Sequence, residues 1–285
     1  MKINKLISYF TGCTLSTLLL LPGIAQAQVR VAPILIQTQT ERGQAQGIIE
    51  LTNNSNEPFR GRVYAKPFTY TKDGFKELES SSNDLIPYLI FSPRELEIQP
   101  QQTRRIRVLT RLLPSMKEGE YRAVIFTESL KPVKKSSGNS TVMIVTRIGT
   151  VVYVRHGDIN PNFTIQNASY DAKNKRIILL VNNDGKASER PKVEWMLKQG
   201  ETTIKSGKQD KTTVIAQGER NIILPYLSAE DKERKEIAPG EYQLTGKLIW
   251  GHYKNPKTQS FNVNLTIPTK PNPCINYHRH PQGLG

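Results

Sequence analysis

The segment Thr141 to Arg155, TVMIVTRIGTVVYVR, constrains this chain more than any other. It reads as one long β-strand, apolar on both faces, with Arg147 as its only interior charge. Left uncovered, such a strand invites edge-to-edge pairing with other chains. A stable fold has to bury one face in its own core and cover or use the other.

The segments around it are also strand-like, short and separated by turn chemistry. The first half reads as VRVAPILIQ, GIIELT, RGRVYAKPF, IPYLIF, RELEIQ, TRRIRVLTR and GEYRAVIFTE. Turn signals stand between them at Glu41-Arg42-Gly43, Asn53-Asn54-Ser55-Asn56, Lys72-Asp73-Gly74 and Gln99-Pro100. In TRRIRVLTR, Ile106 and Val108 share one face, with Arg105, Arg107 and Leu109 on the other. The second half continues with FTIQNASY, RIILLVNN, PKVEWMLKQ, TTIKSG, KTTVIA, RNIILPYL, GEYQLTGKLIW and KTQSFNVNLTI. Trp195 is expected in a core, on a strand. Only Ser228 to Glu236 (SAEDKERKE) has a helical look, and a solvated loop suits it equally. Short strands at regular spacing predict an all-β chain of two immunoglobulin-like β-sandwich domains, 28–157 and 158–268. Their boundary is expected in RHGDINPN, Arg155 to Asn162, and a disordered tail at 269–285.

Residues 1–27 read as a Sec-type export signal. Lys2 and Lys5 precede an apolar run, densest at Leu18 to Leu21, and Ala25-Gln26-Ala27 is a small-residue cleavage site. An uncleaved anchor, or a lipoprotein processed at Cys13, is the alternative. Cleavage before Gln28 leaves 258 residues, enough for two ordinary domains. No later segment is apolar and long enough to span a bilayer, so the expected location is the periplasm. Cys274 is then without a partner in its own chain, so the cores must suffice without an internal disulfide. Without Lys2 and Lys5, 38 basic against 25 acidic residues leave a charge of +13. That charge serves solubility or attraction to an acidic partner. Nucleic acid is not expected, because the chain looks exported and has no aromatic-interleaved basic patch.

Catalytic constellations are missing. The sequence has no Gly-rich phosphate loop before a helix, no G-x-S-x-G elbow and no H-E-x-x-H. His278 and His280 stand near Cys274 but on a tail too loose for a structural metal site. The chain is not expected to be an enzyme or to hold a cofactor or metal.

Several stretches together resemble the PapD-like periplasmic pilus chaperones, over about residues 29–158. They are FSPRELEIQPQQTRRIRVL (Phe91 to Leu109), GEYRAVIFTE (Gly119 to Glu128), GIIELTNNSNEPF (Gly47 to Phe59), and the opening strand followed by His156 and Gly157. Within the first, Pro93, Pro100, Gln102, Arg105 and Arg107 stand in the family's places. The second domain is similar only in size and strand content. The resemblance implies two sandwiches in an L or boomerang, and a chaperone that works without ATP. Its long seventh strand would be lent to pilus or fimbrial subunits that lack a strand of their own, a form of strand addition.

That resemblance divides the opening strand by parity. Val142, Ile144, Thr146 and Ile148 share one face and are the candidate strand donors; Met143, Val145, Arg147 and Gly149 share the other. A bulge at Gly149 would shift the assignment. Lys131 to Gly138 is expected to be a hairpin loop. The family anchors the client's terminal carboxylate with an Arg on the first strand and a Lys on the seventh. Here those positions fall near Leu35 or Gln37 and near Val151, none of them basic. Arg147, Arg155 and Arg30 are the candidate substitutes. An outer-membrane usher is the further partner implied, and self-association through the donor strand is one way to hide it. The competing reading is an exported two-domain binding or structural protein of the cell surface, with its charge turned towards acidic polysaccharide or membrane. A hydrolase ranks third.

Overall fold

The computed structural model describes residues 29–137, 140–226 and 236–269. The expected export signal, Cys274, His278 and His280, nearly all of the SAEDKERKE segment and all of the tail after Thr269 lie outside the described residues. Among the described residues there is no α-helix, only a 3-10 turn at Ile86–Tyr88.

The first domain runs β1 (Val29–Ala32), β2 (Leu35–Gln39), β3 (Gln44–Asn53), β4 (Phe59–Lys66), β5 (Phe68–Thr71), β6 (Gly74–Glu77), β7 (Leu89–Ser92), β8 (Glu95–Ile98), β9 (Thr103–Arg111), β10 (Gly119–Ser129), β11 (Val133–Ser137), β12 (Ser140–Ile144) and β13 (Arg147–His156). Two sheets face each other, ordered β1-β3-β9-β7 and β2-β13-β10-β4-β8. Between them lies a core that includes Ile49, Leu51, Leu85, Ile98, Ile106 and Ile125, each 1% exposed or less. Alternation supplies it: on β9, Ile106 and Val108 point inward while Arg105 and Arg107 are exposed.

Two proline positions correct the expected strands. VRVAPILIQ is not one strand, because Pro33 breaks it and the chain changes sheets: β1 pairs antiparallel with β3, and β2 pairs parallel with β13. RGRVYAKPF likewise divides before Phe68, and the remainder forms the separate β5–β6 hairpin around the expected Lys72-Asp73-Gly74 turn. Proline donates no ladder hydrogen bond, which favours such breaks.

The second domain contains β14 (Phe163–Asp171), β15 (Arg176–Asn183), β16 (Lys192–Gln199), β17 (Thr202–Gln209), β18 (Gly218–Leu224), β19 (Gly240–His252) and β20 (Asn255–Ile267). Its sheets are β14-β15-β18 and β17-β16-β19-β20. Trp195, 2% exposed, sits in their shared core as expected. KTTVIA does not form a strand. Val214, Ile215 and Ala216 are buried, yet only an isolated bridge from Val214 to Glu189 pairs this stretch.

The two domains repeat each other in detail. Tyr121 donates from its hydroxyl to the Lys117 carbonyl at 2.9 Å, and Tyr242 to the Ala238 carbonyl at 2.8 Å. Each is a tyrosine corner at the start of a long strand, a mark of immunoglobulin-like sandwiches. Buried Asn53 and Asn183 both end a strand, and each accepts a backbone N–H two residues on, at 3.0 Å. The first core ends at Val154 and the second begins at Phe163. Gly157, at φ +83°, turns the chain between them; a Cβ there would lie 2.5 Å from Glu118.

Candidate functional site

The segment Thr141 to Arg155 is not one continuous strand. It is the second arm of a long bent hairpin whose first arm is β10 and β11. From Arg147 to His156 it pairs with β10 without a register shift, so Gly149 carries no bulge. The interruption comes at Val145 and Thr146, opposite Leu130 to Pro132, where one arm has more residues than the other. Beyond this kink β12 pairs with β11. The expected loop at Lys131 to Gly138 is therefore largely a strand, from Val133 to Ser137; residues 138 and 139 lie outside the described residues.

The kink decides what each face does. Beyond it Val142, Met143, Ile144 and Val145 are 56%, 56%, 39% and 50% exposed, so neither face lies in the domain's own core. Before it the faces separate. Ile148 packs against the first core together with Val152 and Val154, while Val151 and Tyr153 join a second apolar cluster with Phe68, Val124 and Phe126. Of the four donor candidates, Val142 and Ile144 stand free of the core, Thr146 is half-buried at the kink, and Ile148 is committed to its own domain. Met143 and Val145, which parity assigned to the other set, are as exposed as the candidates.

The main chain of β13 is half covered. In antiparallel pairing, alternate residues direct both backbone groups to the same neighbour. The Ser129 N–H donates to the Thr146 carbonyl at 2.9 Å, so even-numbered residues face β10. Odd-numbered residues face the other way: the Val151 N–H donates to the Ile34 carbonyl at 3.0 Å, and the Arg155 carbonyl accepts from the Thr40 N–H at 2.8 Å. Pairing with β2 begins only at Val151. The backbone groups of Arg147 and Gly149 therefore point to an edge that no described strand covers.

The three basic anchor candidates are not brought together. Arg30 lies exposed on β1, in the other sheet, opposite Thr52. Arg147 is held by the β5–β6 hairpin: its guanidinium pairs with Glu77, lies 4.1 Å from the Phe126 ring centroid and reaches the Tyr64 hydroxyl at 3.4 Å. Arg155 is the most deeply placed and belongs to a seam between the domains. It stands 3.6 Å from the Glu120 carboxylate and 3.5 Å from that of Glu189, and it donates to the Ser188 carbonyl. The Gln37 side-chain oxygen, at the position where the family pattern expects an Arg, accepts from the same guanidinium at 3.2 Å.

Glu120 is the centre of that seam and went unnoticed in the sequence. It is buried, accepts from the Ser188 N–H at 2.8 Å and from the Ser188 hydroxyl, and lies 3.8 Å from Arg122. Burial pushes its carboxyl pKa up, against the pull of the two Ser188 bonds and the Arg122 and Arg155 charges. A second contact joins the hairpin to β18. The Asn221 N–H donates to the Lys72 carbonyl at 2.8 Å, its side chain to Asp73 at 2.9 Å, and Arg220 to the Thr71 carbonyl at 3.2 Å.

Between the seam and the open edge lies a cavity of about 330 Å³. Its apolar walls come from Ile34, Leu35, Tyr70, Phe75, Val124 and Phe126, with Gly149 and Val151 of β13 beside them. Arg190 and Thr213 reach it from the second domain. Arg190 is thus the cleft cation that the sequence did not single out. Among the described residues, no group of three or more His, Cys, Asp or Glu could hold a metal ion, and no helix is long and apolar enough to cross a membrane.

No family model and no curated protein matches the chain. Several solved structures align with most of its length. The CsuC–CsuE chaperone–tip adhesion subunit pre-assembly complex from archaic chaperone-usher Csu pili of Acinetobacter baumannii contains a chain 12% identical to this one, with 85% of this chain and 100% of that chain covered, at a TM-score of 0.47. The class 5 fimbriae chaperone CfaA is 14% identical, with 85% and 100% covered, at 0.46. A chain of the Salmonella enterica SafA pilin complex with the SafB chaperone is 9% identical, with 84% and 98% covered, at 0.47.

Proposed function

We propose that this protein is a periplasmic chaperone for fimbrial-type subunits, and that it acts by adding its own strand to theirs. The observation that carries this reading is the half-covered β13. Its backbone edge at Arg147 and Gly149 is free to bond another strand and leads directly into the exposed apolar residues Val142 to Val145. Strand addition needs both features: main-chain groups supply affinity and alternate side chains fill the partner's pockets. Val142 and Ile144, which share one face, are the donors in this reading. The client's terminal carboxylate is not assigned to Arg147 or Arg155, because Glu77 holds the first and Glu120 and Glu189 the second. The action is binding alone, without nucleotide, metal or covalent chemistry.

The test is purification of the protein from the periplasm of its native host. A chaperone retains an immunoglobulin-like subunit at one-to-one stoichiometry. Ile144→Asp should abolish that complex and leave the free protein's thermal unfolding unchanged, because Ile144 touches no core. If Ile144→Asp unfolds the isolated protein, the donor assignment is wrong. A protein that retains no subunit and binds acidic polysaccharide in a salt-sensitive way is instead a surface-binding module.

A further inference from the structure

Arg122 and Tyr153 stand directly opposite each other on β10 and β13. Residues paired in this way project from the same face of the sheet, with Cβ atoms about 5 Å apart. That face meets the second domain. The pair on one side is Glu120 and Arg155, which bond to Ser188, and the pair on the other is Val124 and Val151, which line the cavity. Arg122 is 7% exposed and Tyr153 2% exposed. Among the described residues, the Nε and Nη1 of Arg122 and the hydroxyl of Tyr153 have no hydrogen-bond partner, and nor does the Nε of Arg155. Buried donors left without an acceptor are costly, the more so on a charged group.

The acids around this pair are already engaged. The Glu120 carboxylate accepts the Ser188 N–H at 2.8 Å and the Ser188 hydroxyl, and Arg122 Nη1 stands 3.8 Å from it, beyond hydrogen-bond reach. Asp84, bridged to Arg122 through the main chain, accepts the Ile86 N–H at 2.9 Å. Glu189 pairs with Arg155. Arg190 reaches the cleft from the second domain, and among the described residues its guanidinium bonds only to the Lys211 carbonyl, at 3.4 Å. Burial raises the pKa of the Tyr153 hydroxyl and keeps it protonated, and the charges of Glu120, Arg122 and Arg190 also act on it. Arg122, Arg155 and Arg190 thus set three positive charges in the seam against the two negative ones of Glu120 and Glu189. A water beside the pair would accept its hydrogen bonds and leave that surplus as it is; an anion answers both. The pair is nearly closed to solvent, so an occupant is small, and a singly charged ion loses less on leaving water than a doubly charged one.

We propose that Arg122 and Tyr153 hold a small monovalent inorganic anion of the halide class at the seam between the domains. The ion accepts from the Arg122 guanidinium and the Tyr153 hydroxyl and offsets the positive charge that Arg190 brings from the second domain. It is a structural ligand: it steadies the first domain against the second and takes no part in pairing with a client strand. The site is therefore independent of the strand-addition reading and stands or falls by itself.

Bromide is the probe, because it substitutes for chloride and scatters X-rays anomalously. Crystals of the full chain in sodium bromide should show an anomalous peak beside the Arg122 guanidinium and the Tyr153 hydroxyl. In solution, sodium bromide is exchanged for sodium fluoride at constant ionic strength, since fluoride gives up its water less readily. Bromide should then raise the thermal midpoint of the native chain, relative to that of Tyr153→Phe, by about 5 °C at 100 times its dissociation constant. Tyr153→Phe removes one hydroxyl and keeps the ring in its apolar cluster. Arg122→Met, which removes the guanidinium, should lose the bromide shift as well. Should neither variant fold by circular dichroism, the peak together with a bromide-dependent rise of the native midpoint decides the matter. A water where the peak is expected, or a bromide shift that Tyr153→Phe keeps in full, overturns the site. A peak with no difference in midpoint is an adventitious ion only and overturns it too.

Discussion

Arg147 holds two elements together: its guanidinium lies over the Phe126 ring of β10 while its tip pairs with Glu77 at the end of the β5–β6 hairpin. The hairpin in turn bonds to β18 through Lys72 and Asp73. One arginine beside the open edge is therefore linked by a short path to the second domain. The Arg147 and Glu77 side chains are 40% and 32% exposed, so water screens the pair and its worth is modest. Arg147→Ala should lower stability by about 1 kcal/mol, from the ion pair and the ring contact together. Urea unfolding measures this, and a loss much larger than that would mean that the hairpin comes away.

The neighbouring carboxylate sets an acid limit. Glu128 accepts from the Tyr64 hydroxyl at 2.6 Å and from Arg62 at 2.6 and 3.1 Å. These bonds, Tyr64 first, hold its pKa below the usual carboxylate range. A group depressed on folding contributes stability above its unfolded pKa and loses it as pH falls through the folded one, because the unfolded chain binds the proton more readily in that window. Stability of the native protein should therefore fall more steeply than that of Glu128→Gln as pH drops from about 5 to about 2. Urea midpoints across that range decide it; parallel curves would mean that Glu128 is not depressed.

Removing Glu120 should uncouple the domains. Glu120→Ala leaves Arg122 and Arg155 in a buried seam without their shared counter-charge and strips the Ser188 N–H and hydroxyl of their acceptor. Breaking a buried pair from one side costs about 3–5 kcal/mol. Calorimetry should show the variant unfolding in two separated transitions, one for each core, against a closer or single transition for the native chain. Glu120→Gln, which keeps an acceptor for Ser188, should lie between them.

How far the sequence reaches is clear from particular residues. Alternation put Ile106 and Val108 on one face, the immunoglobulin-like pattern put Trp195 in a core, and turn residues marked Lys72-Asp73-Gly74, because all three are legible in local sequence. Pro33 and Pro67 could be seen as breaks, yet the sheet that the chain joins after each is settled by distant partners. The kink at Val145 depends on surplus residues in the other arm of the hairpin, so parity counted along a single strand could not show that Ile148 packs against the first core while Val142 and Ile144 stand free of it. Glu120 carried little signal, because Arg122 and Glu128 are charged residues of the same strand. Arg190 carried none, since only the placement of one domain against the other brings it to the cleft.

The exposed arm of the hairpin should make the free protein self-associate. Val142, Met143, Ile144 and Val145 present contiguous apolar surface beside uncovered backbone groups, the combination that soluble proteins otherwise avoid on edges. Sedimentation should show concentration-dependent association that persists in high salt, because apolar burial and not charge drives it. The double variant Val142→Asp, Ile144→Asp should remain monomeric at every concentration. Its thermal midpoint should match that of the native monomer, since neither side chain belongs to the first core. An unchanged association in the double variant would place the contact elsewhere, the outer face of the β1-β3-β9-β7 sheet with its exposed Ile48 and Ile90 being the next surface to alter.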